Sequence, residues 1–434
     1  MIGKYFTQAW ALMKQNKLFT VIYVAGTGLS IALIMTLFII YFVKLGPVYP
    51  EYNRDRTLVI KPIKRYPKGE AGSWMVLGGG SYYVANELLA GLPHVEQIAA
   101  IQANYWENYK VSTSETKPFQ VNALFVNGAF WNVFSFHFTE GKPFTQSDVE
   151  AKMPTAILSE SLAQKLFATT RNVTGRHFLF NGKDYRAGGV VKDVSNATPD
   201  TAADLWIPLL NASNVKKELT PNGLLGNIYT YLLVDDADNL EQVQNEVVTK
   251  FSNFALQDDK YDYDLMGQPD PYWKSTFRQD LNNAPNMIEL AKSFLYILLA
   301  LLFIPALNLS GMISSRMNSR IAELGIRKVY GAPRKRLLEQ ILCENLLLTL
   351  LGGIVGLLLS YLVVLTASDW ILTLFDKYIS NVSIPTSLTF EMLFNPMVFG
   401  CTFAVCIILN LISALIPAHY ALRHPIIESL NTKR

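Results

Sequence analysis

Four stretches of this chain carry no charged residue: 18–43, 293–315, 345–368 and 392–417. Each is long enough to cross about 30 Å of hydrocarbon as a helix. Residues 44–292, between the first and second stretch, follow a different pattern. Apolar runs of strand length at 57–60 and 95–102 flank a helical pattern at 81–92. A second set follows, with a strand at 229–234, a helix at 240–255 and a strand at 261–265. Between the two sets lies a strand-rich insert, 105–212, punctuated by Asn127-Gly128, Glu140-Gly141 and Asn181-Gly182 turn signals. Inside it, a strand at 155–159 leads into a helix at 160–167, and 185–191 reads as a further strand. The predicted fold is an α+β membrane protein. It has four transmembrane helices and a large extracytoplasmic domain in two parts, an α/β part made from the two ends and the β-rich insert.

Composition supports the spans. Half of the 434 residues are hydrophobic and 17% are charged, where about a quarter is usual in a soluble domain. The net charge of +3 gives no argument for nucleic acid as a partner. The placement of the positive charges is more informative. Lys4, Lys14 and Lys17 precede the first span, and Arg316, Arg320, Arg327, Lys328, Arg334, Lys335 and Arg336 lie between spans two and three. Arg423, Lys433 and Arg434 follow span four. The 369–391 loop holds only Lys377, beside Asp369, Asp376 and Glu391. By the positive-inside rule the two termini (1–17 and 418–434) and the 316–344 loop face the cytoplasm, and 44–292 and 369–391 face outward.

The first span is longer than the 7–15 residues of a signal-peptide core and no A-x-A site follows it, so an uncleaved anchor helix is expected. Before it, Phe6, Ala9, Trp10 and Met13 recur at i, i+3, i+4 and i+7. That spacing fits an amphipathic helix at the membrane surface, or a plain extension of the first span. Cys343, Cys401 and Cys406 all lie in or beside apolar runs, so no disulfide framework holds the outward domain.

No catalytic chemistry is legible. His94, His137 and His177 are scattered without ligand spacing. No nucleophile elbow, zinc-protease motif, phosphate loop or dinucleotide fingerprint is present. Gly78-Gly79-Gly80 reads as a flexible turn. Tyr105, Trp106 and Tyr109 fit either a partner surface or strand packing.

The loop 316–344 is the most informative segment. At 100° per residue, Ile321, Leu324 and Val329 share one face and Arg320, Glu323 and Arg327 another. Glu323 and Arg327 form an i, i+4 pair in the favourable order. Gly331 stands where a helix end wants positive φ, and Pro333 where a helix restarts. The pattern predicts a short helix, a sharp turn and a second helix entering span three. It serves a docking surface and a topology-setting loop equally well.

The run Glu323-Leu324-Gly325-Ile326-Arg327-Lys328-Val329-Tyr330-Gly331-Ala332 resembles the E-[IL]-G-[IV]-[RL]-[KR]-A-[LI]-G-A signature of the FtsX-like, MacB-type ABC transporter permeases. That family is shared by macrolide-exporter, lipoprotein-release and cell-division systems. NKLFT near the start, PTAILSESLAQKLF and NGKDYRAGGVVKDV in the insert, and PAHYALRHPIIESLN near the end are similar to further family segments. Val329-Tyr330 departs from the signature's Ala-Leu.

The resemblance implies a permease subunit of a mechanotransmission transporter, not itself an enzyme. A separate cytoplasmic ATPase binds ATP and Mg, and this chain needs no cofactor of its own. A second permease copy or a paralogue completes a dimer, and a periplasmic adaptor or envelope protein is a further expected partner. The expected location is the bacterial inner membrane, with the large domain periplasmic and porter-like. Arg320, Glu323, Gly325, Arg327, Lys328 and Gly331 are then the ATPase-coupling residues. In the spans, Pro305 is a kink or hinge, and Asn308 and Asn410 pack helices through hydrogen bonds. The alternatives are a regulator that activates an envelope enzyme without transport, and a sensor without an ATPase.

Overall fold

The computed structural model describes residues 17–70, 74–102, 108–217, 223–278, 283–301, 329–373 and 396–423, with 10–11, 13–15, 326–327 and a few single positions besides. The chain divides into a helical unit (Met1–Phe42, Asn286–Ile371 and Phe390–Arg434) and a sheet unit (Val43–Pro285 and Leu372–Thr389).

In the helical unit, helix α1 spans Lys17–Leu45 and runs through the unit boundary. Two of the described helices, Lys17–Leu45 and Arg334–Ala367, are long and apolar enough to cross a membrane.

The sheet unit opens with β1 (Thr57–Ile60), β2 (Ile63–Pro67), β3 (Val76–Gly80) and β4 (Val95–Gln102). The insert supplies β5 (Tyr109–Ser112), β6 (Phe119–Val121), β7 (Ala123–Val126), β8 (Phe138–Gly141) and β9 (Thr155–Ser159). Helix α2 (Glu160–Phe167) leads to β10 (His177–Phe180), β11 (Lys183–Val191) and β12 (Leu205–Pro208). The unit closes with β13 (Leu225–Gly226), β14 (Ile228–Val234), helix α3 (Leu240–Gln257), β15 (Tyr261–Asp264) and β16 (Asp270–Pro271). Beyond it lie α4, described from 287 to 301, α5 (Arg334–Thr373) and α6 (Pro396–Arg423).

The strands form one sheet ordered β15-β2-β3-β14-β4-β7-β12-β9-β11-β10-β5-β6. Late in the sequence, β14 is central in space. It pairs antiparallel with β4 along its whole length, and its other edge pairs with β1 and touches β3. Insert and flanks meet at β4 and β7 through the pair Ile101–Val126. Side chains alternate across a strand, and here the alternation makes two cores. Val59, Tyr231 and Leu233 join the cluster that holds Phe130 and Trp206. Leu58, Ile60, Leu232 and Val234 face the other way, onto Val243, Val247 and Phe251 of α3. Those three recur every fourth residue along one face of the helix.

The local signals explain individual elements. Ser159 caps α2, its hydroxyl accepting from Leu162 N, and Ala168 ends the helix at φ 56. Two sequence expectations change. The Gly78-Gly79-Gly80 run is strand β3, not a turn. A Cβ on Gly79 would stand 2.7 Å from Ile228 N and 2.8 Å from Ile228 O, so glycine lets β14 approach. The helix expected over 81–92 closes early, at Val84–Leu88, where Leu89 N donates to Val84 O over five residues before Gly91 turns at φ 67.

Candidate functional site

The best-formed candidate is the turn that leads into α5. Tyr330 N donates to Ile326 O at 3.1 Å and Ala332 N to Arg327 O at 3.0 Å. Between them Gly331 has φ 84. The six-residue closure over a left-handed glycine is a Schellman stop. The carbonyl of Pro333 then accepts from Arg336 N and Leu337 N, which starts α5.

One side of this turn is tied inward. Arg327 Nη1 donates to Gln340 Oε1 at 2.7 Å, and Gln340 Nε2 donates to Glu344 Oε1 at 3.1 Å. Gln340 and Glu344 are both buried on α5. Below them Leu337, Ile341, Leu347 and Leu348 pack with Met13 and Tyr23. The other side is open. Ile326, Val329 and Tyr330 are exposed, Tyr330 at 87%. Arg334, Lys335 and Arg336 follow, also exposed. Three cations in a first helical turn oppose the helix dipole, at about 0.3–1 kcal/mol each. Helix stability therefore does not account for their presence there.

Deeper in the helical unit, glycines let helices close together. A Cβ on Gly356 would lie 2.7 Å from Gly28 O, and one on Gly352 2.9 Å from Thr27. The spacing Gly352-x-x-x-Gly356 puts both on the face that meets α1. Gly353 faces Phe403 of α6.

Of the sequence candidates, the structure brings Arg327 and Gly331 into this turn. Arg320, Glu323, Gly325 and Lys328 lie outside the described residues, as do Pro305 and Asn308. Asn410 falls in α6, with its side chain outside those described. Sequence reasoning passed over Gln340 and Glu344, though their i, i+4 spacing was visible. It counted Arg334, Lys335 and Arg336 for topology only.

The sheet unit offers no reaction centre among its described residues. A cavity of about 430 Å³ is lined by Asn86, Gln97, Asn127, Asn132 and Gln146 with Trp131 and smaller residues, and no titratable group lines it. His94 pairs with Asp235 at 3.0 Å and His177 with Asp184 at 2.8 Å, both at the surface. The His137 ring lies 4.8 Å from that of Tyr49. Tyr109 is buried and stacks on Phe180 at 5.1 Å, while Tyr105 and Trp106 lie outside the described residues. Lys61 Nζ meets both oxygens of Asp200, at 2.8 and 2.6 Å. Burial pushes Tyr231 and Tyr272 well above the ordinary phenol value, so both stay neutral.

Residues 20–250 match the MacB-like periplasmic core domain, and residues 294–426 match the FtsX-like permease C-terminal domain. The chain is 24% identical to the ABC transporter permease YknZ of Bacillus subtilis, over 65% of this chain and 66% of that one. It is 26% identical to the macrolide export ATP-binding/permease protein MacB of Aggregatibacter actinomycetemcomitans, over 55% of this chain and 35% of the relative. The chain thus spans from about a third to just under two thirds of these relatives' length. The crystal structure of the periplasmic region of MacB from Actinobacillus actinomycetemcomitans aligns at 17% identity, covering 47% of this chain and 88% of that one, with a TM-score of 0.32.

Proposed function

This chain belongs to the FtsX-like, MacB-type family of ABC transporter permeases, and we propose that it is the permease subunit that converts ATP hydrolysis in a separate cytoplasmic ATPase into movement of the sheet unit. The single observation that carries this reading is the turn at Gly331. It is locked inward by Arg327, Gln340 and Glu344, and it displays exposed Ile326, Val329 and Tyr330 beside three cations. An apolar patch rimmed by charge on a fixed turn is what a docking surface requires. The sequence assigns Arg320, Glu323, Gly325 and Lys328 to the same role.

In this reading four helices cross the bacterial inner membrane, with both termini cytoplasmic and the sheet unit periplasmic. At 1.5 Å per residue, the 40 residues of α5 reach about 60 Å, twice a hydrocarbon core of about 30 Å. The first turns of α5 thus extend beyond the bilayer and carry the docking turn. The MacB relative is named an ATP-binding/permease protein. The present sequence has no G-x-x-x-x-G-K-[ST] phosphate loop. In this reading the ATP and Mg are held by a cassette ATPase outside the present sequence, and the permease part needs no cofactor of its own. A second permease copy completes the assembly, and the sheet unit works on an efflux or envelope substrate through an adaptor or envelope protein.

The test is purification of the tagged full chain in gentle detergent, with co-purifying proteins identified by mass spectrometry. A stoichiometric cassette ATPase is expected, lost when Arg334, Lys335 and Arg336 are changed together to Glu although the protein still inserts. Full ATPase capture by that variant overturns the docking surface. Absence of any ATPase from the native preparation overturns the coupling function. Capture of an envelope hydrolase alongside the ATPase marks a regulator in place of an exporter.

A further inference from the structure

The main segment of the sheet unit, 43–285, starts at the end of α1 and finishes just before α4. The buried side chain of an arginine holds each end of that segment.

The last turn of any helix leaves carbonyls without partners. At the end of α1, Arg54 Nη1 takes two carbonyls of this stretch, donating to Val43 O at 2.7 Å and Gly46 O at 3.0 Å. The same guanidinium grips Glu51 Oε2 through Nε at 2.9 Å and Nη2 at 2.6 Å. The other Glu51 oxygen accepts from Thr201 Oγ1 at 2.8 Å, in the segment that follows β11. Arg54 is 5% exposed and Glu51 1%. Burial pushes the Arg54 guanidinium down, but Glu51, Tyr272 and Asp200 together more than offset this and keep it charged.

Before α4 the arrangement repeats with different residues. Arg278 Nε donates to Asp270 Oδ2 at 2.7 Å, Nη1 to Asn283 O at 2.8 Å and Nη2 to Met266 O at 3.2 Å. The side chains of Arg278 and Asp270 are 3% and 1% exposed. Three residues past Asn283, Asn286 caps α4, its Oδ1 accepting from Ile288 N and Glu289 N.

Both clamps end on one strand. β1 begins at Thr57, directly after the Arg54–Arg56 turn. Asp270 and Pro271 pair with Val59 and Leu58 of the same β1. Gln268 adds to the join, donating to Pro62 O at 2.7 Å and accepting from Lys61 N at 2.9 Å. Between the clamps, the Tyr272 ring lies 5.5 Å from the Arg54 guanidinium and 5.8 Å from the Tyr231 ring of β14.

We infer that Arg54 and Arg278 are positioning residues that fasten the two ends of the 43–285 segment to β1, so that a pull on either end is passed to that strand. The inference rests on the proposed coupling function. Its support is the choice of partners. A buried ion pair that only stabilised the sheet needs no bond to the main chain of the connections, whereas each guanidinium here spends donors on those carbonyls.

The test uses the full chain with its ATPase in lipid nanodiscs. Cys343, Cys401 and Cys406 are replaced by Ser and Lys183, exposed at the start of β11, is changed as Lys183→Cys for spin labelling of both copies. The distance between labels is read without nucleotide and with ATP and vanadate. Arg54→Met and Arg278→Met are expected to keep ATP hydrolysis, lose most of the nucleotide-driven distance change, and speed amide exchange at 43–56 and 283–287. Arg54→Lys keeps the charge but cannot reach the carboxylate and both carbonyls together, so it is expected to uncouple while unfolding near the native temperature. This covers the case where the methionine variants do not fold. If the native complex moves and well-folded arginine variants move equally, the anchors are refuted and the coupling function stands. If the native complex hydrolyses ATP with no change in distance, the coupling function falls and the anchors fall with it.

Discussion

The Arg327 guanidinium donates to Gln340 Oε1 at 2.7 Å and so spans the Gly331 turn from one helix to the next. A hydrogen bond from a charged group is worth about 1.5–3 kcal/mol when buried, and less here because Arg327 is only half-buried. Arg327→Met and Gln340→Leu should each lower the unfolding temperature, with a coupling of about 1 kcal/mol in a double-mutant cycle. Additive effects would show that the bond is not formed in the membrane.

Gly331 tests the backbone of the same turn. Among the described residues, its chain neighbours aside, no atom lies within 4 Å of where its Cβ would stand, so the φ of 84 is what resists a side chain. Gly331→Ala should cost about 1–2 kcal/mol from left-handed strain. Gly331→Asn should cost less, since asparagine tolerates that region. Thermal unfolding of both variants, beside ATPase capture, reads the difference. Equal losses would point to something other than strain.

Gly356 and Gly400 make a steric contrast. A Cβ on Gly356 would press on Gly28 O at 2.7 Å and Ile31 Cβ at 2.8 Å, whereas one on Gly400 meets nothing within 4 Å among the described residues. Gly356→Leu should force α1 and α5 apart, with a loss of about 1–3 kcal/mol or more from overpacking. Gly400→Ala should be silent. Unfolding in detergent ranks the two.

Asp204 gives the sheet unit a pH signature. Burial pushes its carboxyl up, opposed by the Asn122 N–H that donates to Oδ2 at 2.8 Å and by the charge of Lys165, while Asp193 adds to the rise. A raised native value means the folded state binds the proton more tightly than the unfolded chain does. Stability from this group therefore falls as pH climbs from the unfolded to the folded value, and the full cost is present at neutral pH. Asp204→Asn should raise the unfolding temperature at pH 7, and the gain should vanish in acid below the ordinary aspartate range. A gain that is constant with pH would assign the effect to packing.

Much of this architecture was legible locally. The runs at Thr57–Ile60, Val95–Gln102 and Thr155–Ser159 are strands at those bounds, and Glu160–Phe167 is a helix at its own. In each case the apolar pattern and the flanking residues agree. Gly331 is also a local matter, since a stop signal, a left-handed residue and a following proline are adjacent. Gly79 was not legible, because its requirement is set by the Ile228 backbone and not by its neighbours in sequence. Arg54 and Arg278 gave no signal for a related reason. Their partners include main-chain carbonyls, and a carbonyl has no letter in a sequence. Only Glu51, three residues before Arg54, hinted at a pair.

The place of β14 has a consequence for synthesis. β1 emerges from the ribosome early, yet its strand partners are β14 and β16, at Ile228–Val234 and Asp270–Pro271. Ordering such distant segments is slow, and waiting edges invite wrong partners. The insert, whose strands β5 to β12 find most of their partners among themselves, is free to settle first. The nascent chain then carries an open seam at β1 and β4 until β14 slots between them. Mutations that delay β14 should therefore yield aggregation or proteolysis of newly made chains, even where the finished protein, once closed, is as durable as the native one.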